Sequence, residues 1–223
     1  MVVAIDGPAA SGKSSTAQWV AKELGYRHVD SGALYRAAAA VALRHCGPAE
    51  GWTAEEVVVA VAGVRLEPQD TSFVPWLGDE DLGDAIRGTS VTAVVPRVAQ
   101  MPLVRQWVND RVRDVAGHFD VVVDGRDMGT AVFPAAQVKV FLVADPIERA
   151  RRRLIQRLSR RPSDDEIATE VDMLVARDRA DATQTVEAAD AVRIDTTTLT
   201  QADQVERIVS LVRSRSGTQF AEG

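Results

Sequence analysis

The sequence predicts an α/β protein with a parallel central sheet flanked by helices. An apolar run at residues 2–5 is followed by a glycine-rich turn and then by a segment with helical periodicity. Further apolar runs at residues 119–124 and 139–143 read as strands buried on both faces. Segments with helical spacing separate these runs, and such alternation is typical of a parallel sheet.

The turn after the first strand matches the pattern G-x-x-x-x-G-K-[ST] in full, from Gly7 to Ser14. Glycines let backbone N–H groups surround phosphate oxygens, and the following helix adds its positive dipole end. We expect Lys13 to reach the β- and γ-phosphates of a nucleoside triphosphate and the Ser14 hydroxyl to bind Mg²⁺. The strand–loop–helix context disfavours the alternative of an empty turn. The candidate nucleotide-binding residues are Gly7, Ala10, Ser11, Gly12, Lys13, Ser14 and Ser15.

Composition limits the classes of function. The 223-residue chain has a net charge of −6, which disfavours a surface for nucleic acid. Cys46 is its single cysteine, so no internal disulfide forms and a reducing cytoplasm is expected. We see no apolar run long enough to span a membrane and no secretion signal at Met1.

The chain reads as one domain with an insertion. The core covers about residues 1–63 and 117–215, and an acceptor-binding insertion covers about residues 64–100. Within the insertion, residues 64–77 predict a small antiparallel hairpin outside the main sheet, broken by Pro68 and Pro75. Residues 79–88 read as an acidic loop. A helix is expected from Thr89, interrupted by Pro96 and Pro102, and a disordered tail over residues 216–223.

Two further features point to phosphate chemistry. Asp124 ends a buried strand, which is the place of a second acidic group near Mg²⁺. A helix beginning at Pro146 is dense in arginine, and we interpret residues 148–165 as a lid that closes on phosphates. Arg153 is the catalytic candidate of this lid. Nucleic-acid binding and a solvated face are the alternatives for this arginine run.

A polar turn ending in tyrosine and arginine follows the second strand. It contains Ser31, Tyr35 and Arg36, at the carboxyl edge of the sheet where open α/β folds bind ligands.

Three segments together resemble bacterial cytidylate kinases. They are residues 3–14, residues 30–36 (Asp-Ser-Gly-Ala-Leu-Tyr-Arg) and residues 124–130 (Asp-Gly-Arg-Asp-Met-Gly-Thr). The resemblance implies the P-loop nucleoside-monophosphate-kinase fold and transfer of the γ-phosphoryl of ATP to CMP or dCMP. It also implies Mg²⁺ and a role in pyrimidine metabolism, in a cytoplasmic protein that we expect to be a monomer.

The same resemblance implies roles for individual residues. Lys13 and Ser14 hold the triphosphate and Mg²⁺, and Asp124 lies near the transferring group. Arg36 and Arg126 resemble clamps on the acceptor phosphate, with Ser31 and Tyr35 nearby. The readers of cytosine correspond to Arg105 and Asp127, and the pair that holds the sugar to Arg177 and Asp181.

The acceptor half departs from the family pattern at two positions. Pro96 stands where the family has a serine that touches the base, and Gln184 where it has an arginine. The loop after Gln184 is also shorter. These departures leave open a kinase of the same fold acting on a different small acceptor in specialised metabolism.

The sequence disfavours two other classes of function. A GTPase-like switch is disfavoured because the sequence lacks an Asn-Lys-x-Asp motif. A non-catalytic nucleotide-binding regulator is disfavoured because Lys13, Ser14 and Asp124 are all present.

Overall fold

The computed structural model describes residues 1–218. Their strands, in chain order, are β1 (Val2–Asp6), β2 (Arg27–Asp30), β3 (Val64–Pro68), β4 (Phe73–Leu77), β5 (Glu80–Asp81), β6 (Val121–Asp124), β7 (Val138–Val143) and β8 (Val192–Asp195). Their helices are α1 (Lys13–Leu24), α2 (Ser31–His45), α3 (Ala54–Ala60), α4 (Thr89–Ala99), α5 (Pro102–Ala116), α6 (Pro146–Leu158), α7 (Asp164–Ala180) and α8 (Gln201–Thr218).

Strands of the central sheet follow the order β2-β6-β1-β7-β8. β1 pairs with β7 in parallel, with Ile5 opposite Val140, and β7 pairs with β8 in parallel, with Leu142 opposite Ile194. The parallel sheet flanked by helices confirms the predicted fold class. No helix within residues 1–218 is long and apolar enough to cross a membrane.

The chain separates into two compact units. The first comprises Met1–Tyr26 together with the chain from Val122 onward, and the second is Arg27–Val121. In the first unit, α1 and α8 pack on the sheet, with Val20 and Ile208 completely buried beside Ile5. Buried side chains of two helices and four strands thereby hold the ends of the loop that joins β1 to α1.

The second unit holds the small antiparallel sheet β3-β4-β5, which confirms the predicted hairpin. Its prolines do not break the strands. Pro68 is the last residue of β3, and Pro75 lies within β4, where its carbonyl accepts a hydrogen bond from the Leu82 N–H at 3.0 Å. The expectation of a loop over residues 79–88 is wrong in part, because this segment contains β5 and a 3₁₀ turn at Ala85–Arg87.

The expected interruption at Pro96 is also wrong. Pro96 lies inside α4 and is exposed, whereas Val91 and Val98 are buried in the second unit, where α4 packs against α2. Packing of an apolar face outweighs the lost backbone hydrogen bond. Pro102 starts α5 at the first helical position, where a missing N–H costs nothing.

Side-chain caps set several helix starts. The Asp30 carboxylate accepts from Ala33 N–H at the start of α2. Capping boxes open α3 at Thr53 with Glu56 and α7 at Ser163 with Glu166. At the other end of the chain, α8 continues through Thr218, so the tail expected from residue 216 is wrong for residues 216–218. Residues 219–223 of that tail lie outside the described chain.

Candidate active site

The loop between β1 and α1 is shaped by positive-φ residues. Gly7 has φ 148° and lies so close to β7 that a Cβ there would be 2.1 Å from the Leu142 carbonyl oxygen. Gly12 precedes α1 with φ 92°, and Ala10 adopts φ 59°, a left-handed conformation that is unusual for a residue with a side chain. The backbone therefore forms a tight concave turn at the N-terminus of α1, the shape that receives phosphate oxygens.

Lys13 folds back over this turn. Its ammonium donates a hydrogen bond to the Pro8 carbonyl oxygen at 2.6 Å. Burial, with a further contribution from Arg126, lowers the pKa of Lys13 to about 8, although Asp124 and Asp6 act in the opposite direction. Within residues 1–218 a single carbonyl accepts a hydrogen bond from this ammonium, which would fit a phosphate as an additional partner.

Ser14 and Asp124 meet, as a shared magnesium site requires. The Ser14 hydroxyl donates to Asp124 Oδ2 at 2.6 Å, although the two residues lie 110 positions apart in the chain. Asp124 is buried at the end of β6, with 3% of its surface exposed. Mg²⁺ prefers such oxygen ligands and takes its remaining ones from phosphates and water. These two side chains therefore fit a magnesium ion that arrives with a nucleotide.

Asp6 is a further carboxylate-bearing residue to consider beside Lys13, Ser14 and Asp124, because its charge acts on the pKa of Lys13. It was not among the candidates from the sequence. It is the last residue of β1, and its carboxylate accepts from the N–H groups of Met128 at 2.8 Å and Gly129 at 2.7 Å. Burial raises the pKa of Asp6 to about 6, against the lowering effect of these two hydrogen bonds. Its signal in the sequence is the Asp-Gly pair that ends a buried strand, the same signal that singled out Asp124.

Two candidate arginines share one carboxylate. Arg126 Nη2 lies 2.8 Å from Asp181 Oδ2, and Arg177 Nε lies 3.6 Å from the same oxygen. Burial lowers the pKa of Arg126, and Asp181 partly offsets this effect. Gln184 follows one turn later, and its N–H donates to the Asp181 carbonyl oxygen. The predicted sugar pair Arg177 and Asp181 is thus in contact, with Arg126 joined to it.

The arginines of α6 are paired with carboxylates. Arg149 is buried, where it donates to the Ala9 carbonyl oxygen at 3.0 Å and lies 2.7 Å from Asp178 Oδ2. Arg153 and Arg157 both contact Glu170. The arginines of α6 therefore differ in environment, since Arg149 is buried against Ala9 of the loop between β1 and α1, whereas Arg153 is one-third exposed. The assignment of residues 148–165 as a lid stays a prediction.

The second unit carries the other acceptor candidates. Ser31, Tyr35 and Arg36 lie in the first turns of α2, where Ser31 is buried and Arg36 Nη1 lies 3.4 Å from Asp30 Oδ2. Arg105 is half-buried on α5 and donates to the Ala99 carbonyl oxygen at 3.4 Å.

The remaining candidates belong to the first unit. Asp127 is buried directly before a π-helical turn at Met128–Val132, and its charge raises the pKa of Asp6. Ser11 is completely buried, and its carbonyl accepts from the Thr196 hydroxyl at 3.3 Å. Ser15 is exposed and donates to the Gly12 carbonyl oxygen.

Comparison with known proteins identifies the family. The model of the cytidylate kinase family matches residues 3–214. The chain belongs to the cytidylate kinase family. It is 42% identical to the cytidylate kinase of Geobacillus thermodenitrificans, over 96% of this chain and 97% of that protein. It is 41% identical to the cytidylate kinase of Mycobacterium leprae, over 97% of each chain. The resemblance of the three sequence segments is thereby confirmed.

Structural comparison agrees at the level of fold. An uncharacterised protein from Eubacterium ventriosum superposes with a TM-score of 0.51 at 10% identity, covering 96% of this chain and 99% of that chain. At this identity the likeness concerns the fold alone.

Proposed function

We propose that this protein transfers the γ-phosphoryl group of ATP to CMP and dCMP, giving ADP and CDP or dCDP. The observation that carries the proposal is the contact of Ser14 with Asp124 beside Lys13, in a chain of the cytidylate kinase family. Their convergence at the N-terminus of α1 supplies an ammonium, a hydroxyl and a carboxylate where a triphosphate would lie.

Catalysis in this site would consist of positioning and charge neutralisation. Mg²⁺ bound with ATP would be held through Ser14 and Asp124, and it would neutralise charge on the phosphates. Lys13 would exchange its Pro8 carbonyl for phosphate oxygens and bring a compact positive charge close to them. Arg126 and Arg177 would hold the acceptor with Asp181, and closure of the α6 arginines would exclude water.

Selection of cytosine is assigned to Asp127 and Arg105. A carboxylate accepts from the 4-amino group of cytosine, and a guanidinium donates to N3 and O2. Uracil would present O4 to that carboxylate, and the mismatch would cost about 1–3 kcal/mol. A second candidate function is phosphorylation of a different small acceptor. It is favoured by Pro96 and Gln184, which depart from the family pattern in the acceptor half of the chain.

An ADP-release assay over an acceptor panel tests the proposal. We expect CMP and dCMP to support fast ADP release and UMP to be a poorer acceptor. Purified Lys13→Ala protein, measured in parallel, controls for a contaminating kinase. Turnover with another acceptor, and none with CMP or dCMP, would favour the second candidate.

We also propose that the protein is a monomer in the cytoplasm, that it acts in pyrimidine nucleotide metabolism, and that it binds neither nucleic acid nor membranes. The net charge of −6 supports the expected lack of nucleic-acid binding, and the single Cys46 supports a reducing compartment. Sedimentation at micromolar concentration would test the oligomeric state.

A further inference from the structure

Glu170 is a buried carboxylate that the proposed chemistry leaves without a role. It lies on α7 with 1% of its side chain exposed. Its two oxygens contact different arginines of α6, with Arg153 Nε 3.2 Å from Oε1 and Arg157 Nη2 3.0 Å from Oε2. Burying a carboxylate is costly unless cations compensate it, so Glu170 attracts both guanidinium groups toward α7 through ion pairs, although neither of its oxygens accepts a hydrogen bond within residues 1–218.

The geometry of the contact leaves part of Arg153 available. Nε is the guanidinium atom closest to Glu170, and the terminal nitrogens of Arg153 make no hydrogen bond within residues 1–218. The terminal nitrogens of a guanidinium form the fork that binds two phosphate oxygens at once. Glu170 therefore holds the side of Arg153 that a phosphate does not need.

Electrostatics place Arg153 in the group around the nucleotide loop. Burial is the main reason that the pKa values of Arg153 and Lys13 are lowered, and the charge of Arg177 adds a smaller lowering effect at both residues. Asp181, the ion-pair partner of Arg177, also holds Arg126. Arg153 is thus connected, through Arg177, to the residues proposed to hold phosphates.

Packing fixes α7 relative to that loop. Leu174, one turn after Glu170, forms an apolar cluster with Ala150 of α6 and Ala9 of the loop. This packing holds the Glu170 carboxylate of α7 close to a fixed position relative to the loop.

We propose that Glu170 is a positioning residue for phosphoryl transfer, whose buried carboxylate orients the guanidinium of Arg153 toward the transferring phosphate. The inference deepens the proposed function and depends on it. Glu170 acts through Arg153 and does not touch the substrate.

The first test is Glu170→Gln, which keeps the size of the side chain and removes its charge. We expect kcat with CMP to fall about 10- to 100-fold, the loss that follows when one charge-assisted contact is weakened. The affinity for ATP, measured by calorimetry without acceptor, should change less than about threefold, because Arg153 acts mainly in the transition state. Glu166→Gln is the matched control, since Glu166 lies on the same helix and pairs with Arg160 at the surface. Its kcat should stay at the wild-type value.

A double-mutant cycle separates positioning from stability. In an Arg153→Ala background, Glu170→Gln should cause no further loss of kcat, because the residue through which Glu170 acts is gone. If the two losses multiply, or if Glu170→Gln retains wild-type kcat, the inference is overturned.

A second variant allows the test to be made even if Glu170→Gln does not fold. If Glu170→Gln does not fold, Glu170→Asp keeps the charge and shortens the side chain, and it should lower kcat in the wild-type background but not in Arg153→Ala. Failure of both variants to fold would assign Glu170 to stability alone and overturn the proposal. A wild-type protein inactive with CMP would instead contradict the proposed function.

Discussion

At the scale of single residues, the surroundings of Lys13 make its positive charge unfavourable in the folded protein. Its pKa is lowered to about 8, which means that burial makes the charged form costly in the folded protein. The charge of Lys13 therefore does not stabilise the fold. We propose that it serves to bind phosphates, whose negative charge would compensate it.

The first prediction is that Lys13→Ala abolishes phosphoryl transfer without unfolding the protein. We expect kcat to fall at least about 100-fold, because one preorganised charge at the phosphates is lost. The melting temperature should stay the same or rise slightly. Lys22→Ala, at the exposed end of the same helix, is the matched control for activity. Near wild-type kcat in Lys13→Ala would contradict the assignment of the loop.

Asp6 makes stability depend on pH in a defined direction. Its pKa rises from 3.8 in the unfolded chain to about 6 in the folded protein, so the folded state holds the extra proton between these values. The free energy of unfolding therefore falls as pH rises from about 4 to 6, by roughly 2–3 kcal/mol from this group alone.

The second prediction uses Asp6→Asn, which cannot titrate. We expect the stability of the variant, relative to wild type, to increase between about pH 4 and 6 and to level off above that range. Urea unfolding at several pH values, without nucleotide, measures this difference. A difference that does not change with pH would mean that Asp6 titrates alike in both states.

The third prediction concerns the two departures in the acceptor half. Pro96 offers no N–H and no side-chain hydrogen bond, and Gln184 lacks the positive charge and the fork of an arginine. We expect a KM for CMP about 10- to 100-fold above that of relatives with the usual residues, through the loss of one charge-assisted contact.

The reverse substitutions test this prediction. Gln184→Arg should lower the KM for CMP more than Pro96→Ser does, because it restores a charge as well as a donor. A low-micromolar KM in the wild-type protein, unchanged in Gln184→Arg, would show that both replacements are silent.

Residue-level prediction from sequence is possible where the signal is local. Gly7 to Ser14 form one uninterrupted pattern, so Lys13 and Ser14 could be assigned without a structure. Asp6 could not, because its role depends on hydrogen bonds to backbone groups 122 and 123 positions further along the chain. The buried Glu170 was missed for a similar reason, since helical spacing alone does not show which arginines face it.

At the scale of elements, the contacts of α6 differ sharply along its length. Arg149 is buried between the nucleotide loop and Asp178, whereas Arg151 is exposed and pairs with Glu148 three residues earlier. A buried ion pair with an additional hydrogen bond resists disruption far more than an exposed one. Helix α6 therefore carries one buried, tightly paired arginine, Arg149, and one solvent-exposed arginine, Arg151.

The fourth prediction compares two arginines of this helix. Arg149→Ala should lower the free energy of unfolding by about 2–4 kcal/mol, because it removes the partner of Asp178 and uncovers the Ala9 carbonyl. Arg151→Ala should cost no more than about 0.5 kcal/mol. Chemical denaturation of both variants gives the comparison. Equal effects would show that the Arg149 pair does not form in solution.

Element boundaries followed from the sequence where a cap defined them. Thr53 with Glu56 and Ser163 with Glu166 are capping boxes in the sequence and in the structure. Pro96 was misjudged because its local effect opposes a helix, while the burial of Val91 and Val98 favours one. That burial depends on a partner helix that local patterns do not reveal.

At the scale of the whole molecule, charge argues against nucleic acid as a partner. The net charge is −6, and the arginines that could have formed a basic stripe on α6 are paired with Glu148, Glu170 and Asp178. Intramolecular carboxylates leave little net positive potential to attract a phosphate backbone.

The fifth prediction follows directly. Labelled single- and double-stranded oligonucleotides should show no binding by fluorescence anisotropy at 0.15 M salt and micromolar protein, conditions in which basic binding domains associate readily. Binding that weakens steeply as salt is added would reverse the interpretation of α6.

One of the two units is continuous in sequence and the other is not, and this difference affects the order in which their parts are synthesised. The second unit is one continuous segment, Arg27–Val121, whereas the first joins Met1–Tyr26 to the chain beyond Val122. β1 pairs with β7, which begins at Val138. β1 therefore emerges from the ribosome well before β7 is synthesised. During translation we expect an intermediate in which the second unit is folded and β1 is not yet paired with β7. In this interval Val2–Asp6 is a natural target for chaperones that bind extended apolar chain.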